Sequence, residues 1–381
     1  MNRGETSTMK TNQPGLILAL ILASCFVAAE KPALAAERAS WQAEWSRIQE
    51  EAKKEGQVVI YFWPGGDLGQ VFAAFHSRYP DVKIVSVSLR NELGPRILTE
   101  QRAGKYLADI CFCGNTTPNI ELYKAKAYDP LPPALILPEV KEESHWWEKS
   151  HHYADNDKRF IFVYRGEPTG ARIFYNSKLV QPAEVKSRWD FLQPKWKGRM
   201  VMIDPIDSPG MPRALYHISE LGPRFLQRLL TETDLIMTRD DRAAVDWVGS
   251  GKYPICLFCA GTPEAKAQGL PIEEFADEAW NETPTLANGA NGTLSLLKNA
   301  PHPNAARLFI NWFLSREGQT TFLKIMNTRG RAADSMRVDV PKDSIPPQER
   351  RKPGVRYIAL FSPDKFDPTP VREFLKEVLN R

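Results

Sequence analysis

From residue 41 to residue 113 the chain alternates between amphipathic stretches and short apolar runs, and this alternation limits the fold more than any other feature. Residues 41–55 have helical spacing, with Trp41, Trp45 and Ile48 on one face and Gly56 as a stop. Residues 57–62 (QVVIYF) read as a buried strand that ends at Pro64 and Gly65. A helix over 68–79 follows, carrying Val71, Phe72 and Phe75, then a strand over 82–87, a helix over 92–103 and a strand over 108–113. Strands separated by helices of about ten to fifteen residues predict βα units and a mostly parallel sheet. The prolines between 129 and 155 interrupt the pattern, and 159–175 predicts two strands about a turn at 166–170. A second α/β set then covers 200–314, and a helix over 369–379 closes the chain. At 381 residues, two α/β lobes with more than one crossover are expected.

The first residues differ from all of this. Arg3 and Lys10 precede an uncharged run over 15–29 that stops at Glu30, and Ala33-Leu34-Ala35 follows. The run is short for a bilayer about 30 Å thick. A basic start, an apolar middle and small residues predict a secretory signal peptide cut after Ala35. Leu22-Ala23-Ser24-Cys25 also fits a lipidation box, so anchoring at Cys25 stays open. Export implies a periplasmic location and an oxidising compartment. The net charge is only +4 with no long basic stripe, which excludes a dedicated nucleic-acid binder.

Six stretches, in series over nearly the whole mature chain, carry a resemblance. They are 45–61 ("EAKKEGQVVIY" within it), 72–80 ("FAAFHSRYP"), 96–110 ("RILTEQRAGKYLADI"), 172–180 ("RIFYNSKLV"), 189–205 ("WDFLQPKWKGRMVMIDP") and 296–319 ("LLKNAPHPNAARLFINWFLSREGQ"). The sequence resembles the extracellular solute-binding proteins of bacterial ABC importers, in the branch of the periplasmic iron(III)-binding proteins. The resemblance implies an α/β fold of two lobes, each a mixed, mostly parallel sheet flanked by helices, hinged around a central cleft. It implies a signal peptide over 1–35, a discontinuous first lobe (36–155 and 285–330), a second lobe over 156–284 and a Pro-rich C-terminal segment over 331–381 packing on the lobes. It further implies a monomer that is not an enzyme, needs no cofactor, captures a small polar or anionic solute and delivers it to a membrane permease.

Ligands of open α/β sheets sit beyond the carboxyl ends of strands. That rule selects Trp63, Gly65, Gly66 and Asp67 after the first strand, where free backbone N–H groups at a helix start favour an anion, although a tight turn explains the same residues. It selects Asn115 and Thr116 after the strand ending at Cys113, and Ser208, Gly210, Arg213 and Thr262 in the second lobe. Arg90 and Arg165 present forks suited to carboxylate or phosphate. Tyr175 matches the "YN" of the resembling family and is equally suited to a structural place near the hinge. Asn288, Gly289 and Asn291 form a polar junction where the chain crosses between lobes.

Iron(III) is the alternative cargo. The iron-binding relatives place two adjacent tyrosines after the strand corresponding to 253–258, but here Cys259-Ala260-Gly261-Thr262 occupies that place. Cys111-x-Cys113 and Cys256-x-x-Cys259 allow a thiolate metal site, buried thiols or a local Cys256–Cys259 disulfide. An extracytoplasmic thiol-redox or metal-dependent enzyme is the rival from another class.

Overall fold

The computed structural model of the protein describes residues 32–64, 68–114, 117–169, 173–206, 210–259, 262–275, 280–289, 291–328, 333–347 and 350–380. The first elements are α1 (Pro32–Glu55), β1 (Gln57–Phe62), α2 (Leu68–Arg78), β2 (Lys83–Ser88), α3 (Leu93–Arg102), β3 (Ile110–Cys113), α4 (Thr117–Lys124), β4 (Tyr128–Asp129), α5 (Pro138–Lys141) and β5 (Phe162–Val163). There follow β6 (Glu167–Thr169), β7 (Ile173–Asn176), β8 (Met200–Ile203), α6 (Gly210–His217), α7 (Gly222–Glu232), β9 (Ile236–Thr238), α8 (Asp241–Gly249), β10 (Ile255–Leu257), α9 (Thr262–Ala267) and β11 (Ile272–Glu274). The last are β12 (Thr285–Ala287), β13 (Thr293–Leu297), α10 (Pro303–Leu314), α11 (Arg316–Thr328), β14 (Ile358–Ala359), α12 (Pro363–Phe366) and α13 (Thr369–Leu379).

Two sheets carry the two cores. The first has the order β2-β1-β3-β13-β4, with β5 also paired to β13; β1, β2 and β3 are parallel and β13 runs against them. Val58 to Tyr61 are all buried, as a central strand covered on both faces requires. α2 supplies Leu68, Val71, Phe72 and Phe75, spaced for one helical stripe, and Phe72 and Phe75 pack edge-on against Phe309 of α10. The second sheet has the order β11-β7-β10-β8-β9, with β8, β9 and β10 parallel. α7 covers it with Phe225, Leu226, Leu229 and Leu230. Among the described residues, no helix is long and apolar enough to cross a membrane.

A third, three-stranded sheet, β14-β12-β6, lies where the chain passes between the cores. Here the structure differs from the sequence expectation. Residues 167–169, expected within a turn, are the strand β6, pairing antiparallel with β12. Pro168 is tolerated because β6 is an edge strand, where a missing N–H breaks no ladder. The lobe boundary also moves. Ile161 to Tyr164 belong to the first core because β5 pairs with β13, so the crossover falls at β6 rather than at residue 156. α1 begins at Pro32, which puts the expected cleavage point after Ala35 inside this helix, while residues 1–31, Cys25 included, lie outside the described residues.

Candidate functional site

The carboxyl edges of the two sheets hold the candidate site. In the first, Trp63 continues β1 and its N–H donates to Phe112 O at 3.1 Å. The end of β3 is fastened by a buried network that composition could not flag. Thr293 Oγ1 donates to Cys113 O at 2.8 Å, Asn119 Nδ2 donates to Gly114 O and to Thr293 Oγ1, and Tyr128 donates its hydroxyl proton to Asn119 Oδ1 at 2.6 Å. Asn119 and Thr293 were missed in the sequence because each is an ordinary polar residue until β13 inserts beside β3. The antiparallel register Thr293↔Cys113 brings them together.

In the second sheet, Asp204 follows β8, accepts from Ile206 N at 3.0 Å and faces Arg239 at 3.7 Å. Gly210 opens α6, and Arg213 lies one turn into that helix. Arg213 is buried, and its Nη2 donates to Leu360 O. Its Nε has no acceptor, and no carboxylate among the described residues forms an ion pair with it. Burial pushes this guanidinium down to about 10, against a weaker opposing attraction from Asp367. A buried cation without a carboxylate in direct ion-pair contact is costly, which makes the place receptive to an anion. On the same helix, burial and the nearby Arg213 push His217 down to about 4, and its Nε2 has no partner.

The other candidates are placed as follows. Thr262 is the first residue of α9. Gly65, Gly66, Asp67, Asn115, Thr116 and Ser208 lie outside the described residues. Arg90 is exposed, two residues past the edge strand β2. Arg165 is buried and paired to Glu167, against Phe322 and Gly289, so it sits at the crossover rather than at a strand end. Tyr175 points into the second core, its ring 4.5 Å from that of Phe275, opposite Ile255 and away from the carboxyl edge. Asn288, Gly289 and Asn291 follow β12 at the return crossover.

The thiol alternatives separate cleanly. Cys256 and Cys259 form a disulfide within the second core, and Cys111 and Cys113 are buried in β3 of the first. The four sulfurs are therefore not brought to one metal. Burial pushes the Cys111 thiol up, the opposite of an activated nucleophile. His145, His151 and His152 contact backbone carbonyls of Glu139, Val140 and Trp147, which fixes local loops. All eleven tyrosines lie within the described residues, and no two are adjacent.

No protein-family model matches the sequence, and no curated protein sequence matches it. Solved structures do match in shape. A ferric iron-binding protein A from Mannheimia haemolytica, in an open conformation, has a TM-score of 0.62 at 12% identity, covering 85% of this chain and 98% of its own. The fold is that of the two-lobed periplasmic binding proteins. A Trichodesmium protein in complex with iron and citrate gives 0.60 at 18% identity, covering 85% of this chain and 99% of its own. The substrate-binding protein of an Agrobacterium tumefaciens ABC transporter gives 0.53 at 16% identity, covering 87% and 97%. At such identities the likeness establishes architecture: two α/β lobes joined by crossover strands, as β6 and β12 join the two cores here.

Proposed function

We propose that this protein is the exported, periplasmic solute-binding component of an ABC importer, capturing a small anionic solute between its lobes and presenting it to a membrane permease. The observation that carries the reading is Arg213, a buried guanidinium with an unused Nε–H and, among the described residues, no carboxylate in ion-pair contact, at the carboxyl edge of the second sheet. The solute's anionic group completes the hydrogen bonding of Arg213. In this reading the solute also contacts Trp63, Gly65, Gly66, Asp67, Asn115 and Thr116 from the first lobe and Ser208, Gly210 and Thr262 from the second. Arg90 provides a peripheral cation. Arg165 and Tyr175 act from the hinge and the core, through other residues. The protein works as a monomer, without catalysis or a resident cofactor.

Thermal-shift screening of the mature protein against carboxylates, phosphates and sulfonates tests this. A solute at about 100 times its dissociation constant adds roughly 2.7 kcal/mol of stability. Arg213→Met should lose that shift while keeping the unliganded circular dichroism spectrum. If no anion shifts the melting of the wild type, or the variant keeps the shift, the reading fails.

Ferric iron is the second reading, supported by the iron-binding descriptions of the Mannheimia and Trichodesmium structures. Against a bare ferric site stands the absence of a tyrosine over 259–262, since adjacent phenolates are the hard donors that the resembling family uses. The citrate in the Trichodesmium complex makes ferric citrate a natural probe, because its carboxylates suit Arg213. Metal-free citrate in parallel separates a carboxylate receptor from an iron receptor.

A further inference from the structure

The chain passes between the two cores a third time, and this passage touches both of the other crossovers. Met336, Val340, Ile345, Phe361 and Phe366 are buried in the first core, whereas Val371 and Leu375 of α13 are buried in the second. Between them, β14 runs parallel to β12, with Ile358 N donating to Pro284 O at 2.9 Å and Leu360 N to Leu286 O at 2.9 Å. Ile358 packs toward the second core and Ala359 toward the first. Upstream, Ser335 bridges Arg165 just before β6, and Gly166 N donates to Asp334 O at 2.9 Å.

A buried ionic group holds this upstream contact. Asp334 pairs with Lys342, and with Arg351 at 3.5 Å. Arg351 Nη1 donates to Gly166 O at 2.6 Å, and its Nη2 donates to Ser335 O. Arg165 pairs with Glu167 beside them. The contact is also tight sterically. A methyl group on Gly166 would lie 2.9 Å from Phe361 Cε1 and 3.0 Å from Met336 Sδ, which leaves it no room. At the downstream end, Arg213 holds Leu360 O, so the candidate ligand residue is itself bonded to the third passage.

We propose that residues 333–347 and 350–369 form a strap that restrains rotation of one lobe against the other, latched to the first crossover by Asp334, Lys342 and Arg351 and to the second by β14. Two crossover strands alone act as a hinge, whose few residues absorb the φ/ψ change of closure. A third connection, hydrogen-bonded to both and anchored in both cores, must move with them or detach. It therefore narrows the range of lobe orientations in the unliganded protein. The role assigned to this motion rests on the receptor reading, but the restraint itself does not.

The test uses the unliganded full chain with Cys25→Ser and spin labels on Ser77→Cys in α2 and Gln227→Cys in α7, both exposed positions on different lobes. Cys111 and Cys113 are buried away from the label, and Cys256 and Cys259 are bonded to each other. The wild-type interlabel distance distribution should be narrow and single. Arg351→Met removes the latch on Gly166 yet leaves Arg165 and Lys342 against Glu167 and Asp334, two cations facing two carboxylates, so the buried charge stays balanced. It should broaden or split the distribution, and amide exchange in β6 and β12 should quicken about tenfold. An unchanged distribution and unchanged exchange in Arg351→Met overturn the proposal. If that variant does not fold, Gly166→Ala, which displaces Phe361 and Met336 without removing charge, is read by the same two outcomes. A failure of the receptor reading would show separately, as no melting shift with any anion while the distances still respond to the latch.

Discussion

Single side chains set how this protein responds to acid. His217 has its ordinary value of 6.5 in the unfolded chain but about 4 in the folded one, because burial and Arg213 oppose its charge. Between those values the unfolded chain binds a proton that the native state refuses, so stability falls as the pH drops from 6.5 toward 4. Glu220 acts in the same direction over a lower range. Hydroxyl hydrogen bonds from Ser219 and Thr283 hold its carboxyl down at about 2 against an ordinary 4.5, so its contribution is present above 4.5 and is lost as the pH falls toward 2. Urea midpoints between pH 7 and 4 should therefore decline in the wild type and decline less in His217→Gln. Equal slopes would show that His217 is reached by water in the native state. Asn119 makes a different kind of contribution. It joins three partners in a fully buried network, so Asn119→Ala should cost about 1–3 kcal/mol, measured by urea denaturation, because Tyr128 and Thr293 are left with unmet hydrogen bonds.

At the level of elements, the end of β10 combines two constraints. Phe258 adopts a left-handed backbone (φ 69°) and lies inside the Cys256–Cys259 disulfide. That conformation is uncommon for a residue with a Cβ, and the disulfide helps to hold the turn that leads toward α9. A loop this short loses little unfolded-chain entropy, so the Cys256→Ala/Cys259→Ala protein should be less stable by only about 2 kcal/mol in the chain-entropy account. Because the turn feeds the candidate site, the same variant should bind its anion more weakly than its stability loss alone predicts, a point that calorimetric titration checks against the melting data. The elements themselves were largely legible. The strand over 57–62 and the helix over 369–379 appear with the expected bounds, since periodicity and the flanking Gly and Pro residues are local signals. β6 and β14 were not legible. They are short, proline-bearing or polar in setting, and exist because β12 lies between them to pair with both.

For the molecule as a whole, three passages between two cores imply coupled unfolding. Fluorescence and far-ultraviolet circular dichroism should give coincident urea transitions, whereas separate midpoints would mean that each lobe unfolds by itself. The local sequence determined the βα alternation, the buried runs of both sheets and the helical stripes, because side-chain periodicity follows directly from backbone geometry. The resemblance implied the two-lobed plan. Only the tertiary structure decided which arginines have company. Arg165 and Arg213 are alike in sequence, yet one meets Glu167 at a crossover and the other is left with a bare Nε at a sheet edge. The same holds for the C-terminal segment, whose course across both cores depends on pairings between residues far apart in the chain, such as Ile358 with Thr285 of β12 on one side and Arg351 with Gly166 on the other. Burial and long-range partners are properties of the assembled chain; a local pattern reports which face of an element is apolar, and not what comes to lie against it.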